Sequence, residues 1–187
     1  ILLINNIEFD HADIFSNVEE IESKFLSLLE SLDSDSVAYI NKDGISNRFF
    51  EKSCIFNEVE AFSAGTTTID EINKKSATKA LSKYFSSSEI YDSLKSFSGV
   101  KRRYDVIFEN DDFKVIDDFA HHPTAVVETL KLAKKESLNV ILILELGSNS
   151  MRKGIHDEKL IEIMQDQKTF TINASQDQLE KFSHLSK

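Results

Sequence analysis

The residues whose types could do chemistry together crowd into one stretch, from Gly99 to Ala133. Lys101, Arg102 and Arg103 form a local cluster of positive charge that suits one anionic ligand. Asp117-Asp118-Phe119-Ala120-His121-His122 follows as a short polar loop between a predicted strand and a predicted helix. That junction is where α/β folds place phosphate sites, because free N–H groups and the helix dipole both favour an anion. Taken one at a time, the carboxylates read as ordinary caps and the histidines as surface residues. The ordered set of basic run, acidic pair and histidine pair is what argues for a site.

Several elements must position that loop. Tyr104 to Phe108 and Phe113 to Ile116 are β-rich runs joined by the polar turn Glu109-Asn110-Asp111-Asp112, which predicts a hairpin. Pro123, the single proline, suits a first helical turn, where its missing N–H is no loss. Val126, Val127, Leu130 and Ala133 then recur at helical spacing. Asn139 to Glu145 is a strongly apolar strand ending at Leu146-Gly147. The order strand, helix, strand predicts a parallel βαβ unit with a right-handed crossover. The loop Ser148 to Ile155 would then share a sheet edge with Asp118 and His121. Asp157 to Met164 reads as a helix, Thr169 to Asn173 as a strand, and Gln176 to Leu185 as a helix.

The N-terminal half repeats the alternation. Ile1 to Ile4 reads as the end of a buried parallel strand. Ser16 with Glu19 predicts a capping box for a helix whose apolar stripe is Val18, Ile21, Phe25, Leu28, Leu29 and Leu32. Ser36 to Asn41 reads as a strand, Lys42-Asp43-Gly44 as a turn, and Ile45 to Phe50 as a partner strand. Cys54 to Phe62 is a further candidate strand. Ala64-Gly65-Thr66-Thr67-Thr68 lacks the second glycine and the lysine of a Walker A loop, so it is no phosphate loop. Thr68 with Glu71, and Ser86 with Glu89, predict caps for two more helices. The first would carry Ile72, Ala77, Ala80, Leu81 and Tyr84 on its apolar face, the second Ile90, Tyr91, Leu94 and Phe97.

Gly99-Val100-Lys101-Arg102-Arg103 followed by Asp117-Asp118-Phe119-Ala120-His121-His122-Pro123-Thr124-Ala125 resembles the Mur ligases. These are the ATP-dependent amide-forming family of bacterial cell-wall metabolism. Asn6-Ile7-Glu8-Phe9-Asp10-His11-Ala12-Asp13 and Ser148-Asn149-Ser150-Met151-Arg152-Lys153-Gly154 resemble the same family in the same order. Within the family, the likeness is nearest to the branch that joins a murein tripeptide to UDP-N-acetylmuramate. The resemblance implies an α/β fold in two parts. Residues 1–98 would be a remnant of the central, ATP-binding domain, and residues 99–187 a partial C-terminal domain with a Rossmann-like parallel sheet.

The resemblance also implies ATP and Mg2+ as cofactors and two chemical steps. ATP phosphorylates a sugar-linked carboxylate, and the peptide amine then attacks the acyl phosphate. His11 would be the magnesium ligand and Arg103 would hold the phosphate chain, both with a catalytic part. Asp118 would face the nucleotide, with His121 and His122 shaping the same loop. Asn149, Ser150 and Arg152 would face the incoming peptide. None of them needs to be a general base. The chain departs from its relatives in two places. Ile69-Asp70 stands where the family has a His-Asn pair, and Leu146-Gly147 where it has Pro-Arg, a loss for peptide affinity that Arg152 is expected to make good only in part.

The totals narrow the classes. A net charge of −10 over 187 residues argues against a general nucleic-acid binder. The longest apolar run, Val140 to Leu144, has the length of a buried strand, not of a membrane span. A lone Cys54 rules out an internal disulfide and fits the cytoplasm. The opening Ile1-Leu2-Leu3-Ile4 lacks the basic flank of a signal peptide and predicts a piece of a longer chain. No glycine-rich phosphate loop occurs in these residues, so the chain by itself is expected to bind ATP weakly or not at all. The competing readings are a non-catalytic α/β nucleotide-binding module and a degenerate inactive fragment.

Overall fold

The computed structural model describes residues 1–56, 58–65, 68–137 and 139–183. The chain divides into two compact units, Ile1–Asp10 with Ile14–Phe97, and His11–Asp13 with Ser98–Lys187. Both units combine helices with parallel strands, so the fold is α/β. Among the described residues no helix is long and apolar enough to cross a membrane.

In the first unit β1 (Leu2–Ile4), β2 (Ala38–Asn41) and β3 (Val59–Phe62) form a three-stranded parallel sheet in that order. Helix α1 (Val18–Glu30) joins β1 to β2, and α2 (Asn47–Ser53) joins β2 to β3. All four residues of β2 are buried, as expected of a central parallel strand covered on both faces. Ala38 and Ile40 pack with Ile4, Leu29 and Phe49, while Tyr39 packs with Val37 and with Ala80 of α3 (Ile69–Leu81). A fourth helix, α4 (Ser87–Ser96), starts with the expected Ser86–Glu89 capping box and buries Ile90.

Three local readings of this unit are corrected. Ile45 to Phe50 is not a strand: the Ser46 hydroxyl accepts the Phe49 N–H at 3.0 Å and starts α2. Phe49 is then fully buried, against Phe25 edge-on at 6.4 Å, a burial worth about 1.5–3 kcal/mol. The box on α1 is shifted by one residue, because Asn17 caps the Glu20 N–H while the Glu20 carboxylate accepts the Ser16 N–H. Of Cys54 to Phe62, Val59–Phe62 is strand and Cys54 caps the end of α2; Asn57 lies outside the described residues. Thr66 and Thr67 lie outside them too, and Thr68 caps α3 as expected.

Polar side chains lock this sheet's C-terminal edge. Asn41 accepts the Ala64 N–H at 3.1 Å and donates to the Asn5 carbonyl, and Ser76 of α3 donates to the Asn5 side chain at 2.7 Å. Gly44, in the 3-10 turn after β2, accepts the Ile7 N–H at 2.8 Å, and a Cβ there would stand 2.1 Å from the Asn5 carbonyl. On α1 the buried Glu22 carboxylate is satisfied by Ser46 Oγ and by Arg48.

In the second unit β4 (Asp105–Glu109) and β5 (Lys114–Asp117) form the expected antiparallel hairpin, bulged between Val106 and Phe108. The Asn110 side chain accepts the Asp112 and Phe113 N–H groups and shapes its turn. Helix α5 (Pro123–Glu136) follows, with Pro123 in its first turn. Next come β6 (Ile141–Glu145), the short α6 (Asn149–Arg152), α7 (Asp157–Met164), β7 (Lys168–Ile172) and α8 (Gln176–Phe182). Part of the expected Gln176–Leu185 helix lies outside the described residues.

The predicted β5–α5–β6 unit is corrected. β5 bonds to β4, and β6 bonds in parallel to β7 over its full length. Alternation along the chain shows that strands are present; hydrogen bonds made only in the folded chain decide which ones pair. Val126 and Leu130 of α5, Leu144 of β6, Leu146, Met151, Leu160, Met164 and Phe182 make one core.

Candidate functional site

The loop after β5 is held by its own polar groups. Tyr104 donates its backbone N–H to Asp118 Oδ2 at 2.8 Å, and Ala120 donates its N–H to Asp118 Oδ1 at 2.8 Å. Arg102 donates Nε–H to Asp117 Oδ2 at 3.1 Å, and its carbonyl accepts the Phe119 N–H at 2.8 Å. Arg102 and Tyr104 both stand in the left-handed region, at φ 59° and 53°. Such positions cost about 1–3 kcal/mol and persist where surrounding contacts over-determine them. The aspartates of the loop supply those contacts.

Arg103 lies between these two residues. Its guanidinium carbon is 5.8 Å from the Phe119 ring centre, and that of Arg102 is 5.1 Å from it. The His121 ring meets Phe119 edge-on at 4.8 Å. His121 Nδ1 lies 2.8 Å from the Phe119 carbonyl, which accepts only, so Nδ1 carries the proton in this contact. His122 precedes Pro123 without capping α5 through its side chain, and its ring packs edge-on at 4.9 Å against the buried His156 ring. Tyr104 also donates its hydroxyl to Glu136 at 3.1 Å, tying the loop to the far end of α5. Burial and that carboxylate push the Tyr104 phenol up to about 12.

A second group forms at the end of β6. Asn149 donates to Asp13 Oδ2 at 3.0 Å, which joins the Ser148–Ile155 loop to the segment that carries His11. That hydrogen bond is the chief reason the Asp13 carboxyl lies below its ordinary value; Lys153 and His11 add to it. Ser150, expected to face the peptide, is 2% exposed, and its carbonyl accepts the Ile155 N–H inside the turn. Arg152 is exposed on α6. The loop is braced from behind by Gln178, which donates to the Met151 carbonyl and to the buried Asp157 at 2.8 Å each, while Lys181 donates to the other Asp157 oxygen. Gly154, at φ 72°, lies so close that a Cβ would stand 2.8 Å from Asp157.

The predicted site residues thus fall into two groups, Arg103, Asp118 and His121 around Phe119, and Asn149 beside the His11–Asp13 segment. Phe119, Tyr104 and Asp13 were not singled out from the sequence, although all three stand inside or beside the motifs that were. A phosphate group fits the first group, since Arg103 makes no ion pair among the described residues. The described residues hold no cluster of three or more His, Cys, Asp or Glu, so a magnesium ion would take the exposed His11 as one protein ligand and complete its shell with water and substrate phosphates.

The fold has solved counterparts. A murein peptide ligase from Psychrobacter arcticus superposes with a TM-score of 0.63 at 20% identity, over 98% of this chain and 46% of that one. A UDP-N-acetylmuramate–alanine ligase from Thermotoga maritima gives 0.59 at 16%, over 96% of this chain and 52% of that one. Curated sequences agree. The UDP-N-acetylmuramate–L-alanyl-γ-D-glutamyl-meso-2,6-diaminoheptandioate ligase of Haemophilus influenzae is 26% identical over 85% of this chain and 43% of its own length. A UDP-N-acetylmuramate–L-alanine ligase of Clostridium acetobutylicum is 29% identical over 74% of this chain and 38% of its own. The fold is therefore that of an α/β ligase, and residues 1–107 match the Mur ligase middle domain. The chain belongs to the Mur ligase family. It spans about two-fifths of the length of the curated relatives that it matches.

Proposed function

We propose that these residues serve an ATP-dependent amide-forming ligase that joins a murein tripeptide to UDP-N-acetylmuramate through an acyl phosphate, in the cytoplasm. Family membership supports the reaction class, and the Haemophilus relative's own name supports the substrate pair. On this reading the first unit is part of the ATP-binding domain and the second is part of the C-terminal domain. The observation that carries the reading furthest is Arg103, exposed, without an ion pair among the described residues, and beside the Phe119 ring of the loop that leads into α5.

Each residue then has a task. Arg103 holds the phosphate oxygens through its planar fork. Asp118 fixes the loop through two backbone amides, and each of its oxygens keeps a lone pair for a ribose hydroxyl. Asn149 and Arg152 face the peptide, and Ser150 holds their turn from inside. His11 would hold magnesium, whose chemistry is to offset the charge of the phosphates. The test is phosphate release from ATP by the complete polypeptide that carries these residues. Release that requires both UDP-N-acetylmuramate and L-alanyl-γ-D-glutamyl-meso-diaminopimelate supports the ligase; release indifferent to the peptide sinks it.

A further inference from the structure

We propose that Phe119 is a positioning residue for Arg103, its ring holding the guanidinium in a set direction before the phosphates of a nucleotide arrive. The inference rests on the phosphate-facing reading of Arg103 given above.

Phe119 is 47% exposed and is not a member of the second unit's hydrophobic core, although the next residue, Ala120, packs against that core. Core packing therefore does not explain a phenyl ring in this loop. Its neighbours do. Two guanidinium groups and one imidazole surround the ring, at 5.1, 5.8 and 4.8 Å. The ring's own place is set by the backbone, since the Phe119 N–H donates to the Arg102 carbonyl and the Phe119 carbonyl meets His121 Nδ1.

The two arginines differ in what else they do. Arg102 is committed to Asp117 and, through its backbone N–H, to Asp105. Arg103 shares the ring but makes no ion pair among the described residues. Its main chain is held between two left-handed residues and by its N–H on the Val100 carbonyl. The Cα end and the guanidinium end are thus both placed. A guanidinium on an aromatic face keeps its N–H donors in plane and pointing outward, where they can take two oxygens of a phosphate. Ordering a long side chain in advance lowers the entropy lost when the ligand binds.

The experiment is nuclear magnetic resonance on the complete polypeptide that carries these residues, read at the Arg103 Hδ and Nε–H signals, with inorganic triphosphate as the probe. The ring predicts upfield-shifted Arg103 signals in the wild type, lost in Phe119→Leu and retained in Phe119→Tyr. Triphosphate should move these signals, with half-saturation about two- to fivefold higher in Phe119→Leu, on the scale of an exposed cation–π contact. Phe119→Tyr should restore the wild-type value. Amide signals of α5 and β6 report whether the variants remain folded. Unshifted Arg103 signals in the wild type would overturn the proposal, as would equal triphosphate binding by the wild type and Phe119→Leu. If the ring shift is present but triphosphate moves no Arg103 signal, the phosphate-facing reading itself fails and takes the positioning role with it.

Discussion

Tyr104 stands at φ 53° and gives its backbone N–H to the Asp118 carboxylate, fourteen residues later, at 2.8 Å. The second oxygen of the same carboxylate takes the Ala120 N–H. One side chain therefore closes the loop that carries Arg103 and holds a strained residue at its base.

Asp118→Asn should destabilise the second unit by about 1–2 kcal/mol, because asparagine has one acceptor oxygen for two N–H donors and turns a donor toward one of them. Were Asp118 an ordinary exposed surface residue, the change would stay within about half a kcal/mol. Urea denaturation separates the two. A midpoint equal to the wild type's would mean that the amide contacts carry no weight.

Tyr104 makes stability depend on alkaline pH. Its folded-state value is raised to about 12 from 10, first by burial and then by Glu136. The unfolded chain loses this proton first, so the contribution is whole below about pH 10 and is lost as pH rises toward 12. The wild type minus Tyr104→Phe difference in melting temperature should shrink over that window and stay flat below it. A flat difference throughout would exclude the linkage.

Gly154→Ala should cost about 1–3 kcal/mol, since a side chain is strained at φ 72° and its Cβ would press on the Asp157 carboxylate. Gly44→Ala should cost at least as much for a different reason, the approach of the Asn5 carbonyl to 2.1 Å of the new Cβ. Thermal unfolding followed separately in each unit should place the first loss in the second unit and the second loss in the first. The reverse assignment, or no loss, contradicts this packing.

Glu22→Ala should destabilise the first unit by about 2 kcal/mol, because it strips the acceptor from Ser46 Oγ and Arg48 at a position 4% exposed. Asp70→Ala removes an exposed pair with Lys74 and should stay within about half a kcal/mol. Chemical denaturation of both variants checks the ranking, and equal effects would refute it.

Much of the local structure was legible in the residues. The Ser86–Glu89 box, the Thr68 cap, the hairpin around Asn110 and the proline start of α5 all depend on groups a few residues apart, so their chemistry is written in order along the chain. The motifs around Arg103, Asp118 and Asn149 were visible for the same reason, and they carried the family likeness. Ile45 to Phe50 misled because its apolar and aromatic residues suit a strand as well as a helix. The Ser46 cap and the buried place waiting for Phe49 decided between them. The partner of β6 was likewise out of reach, since β6 satisfies its hydrogen bonds with β7 and not with β5. The roles inside the loop were decided last. Composition offers two aspartates and two arginines, and tertiary contacts assign Asp117 to Arg102, Asp118 to the backbone, and Arg103 to the ring of Phe119, which Arg102 also flanks. Local chemistry is fixed by neighbours in sequence, whereas the division of labour among like charges depends on distances that exist only once the chain has folded.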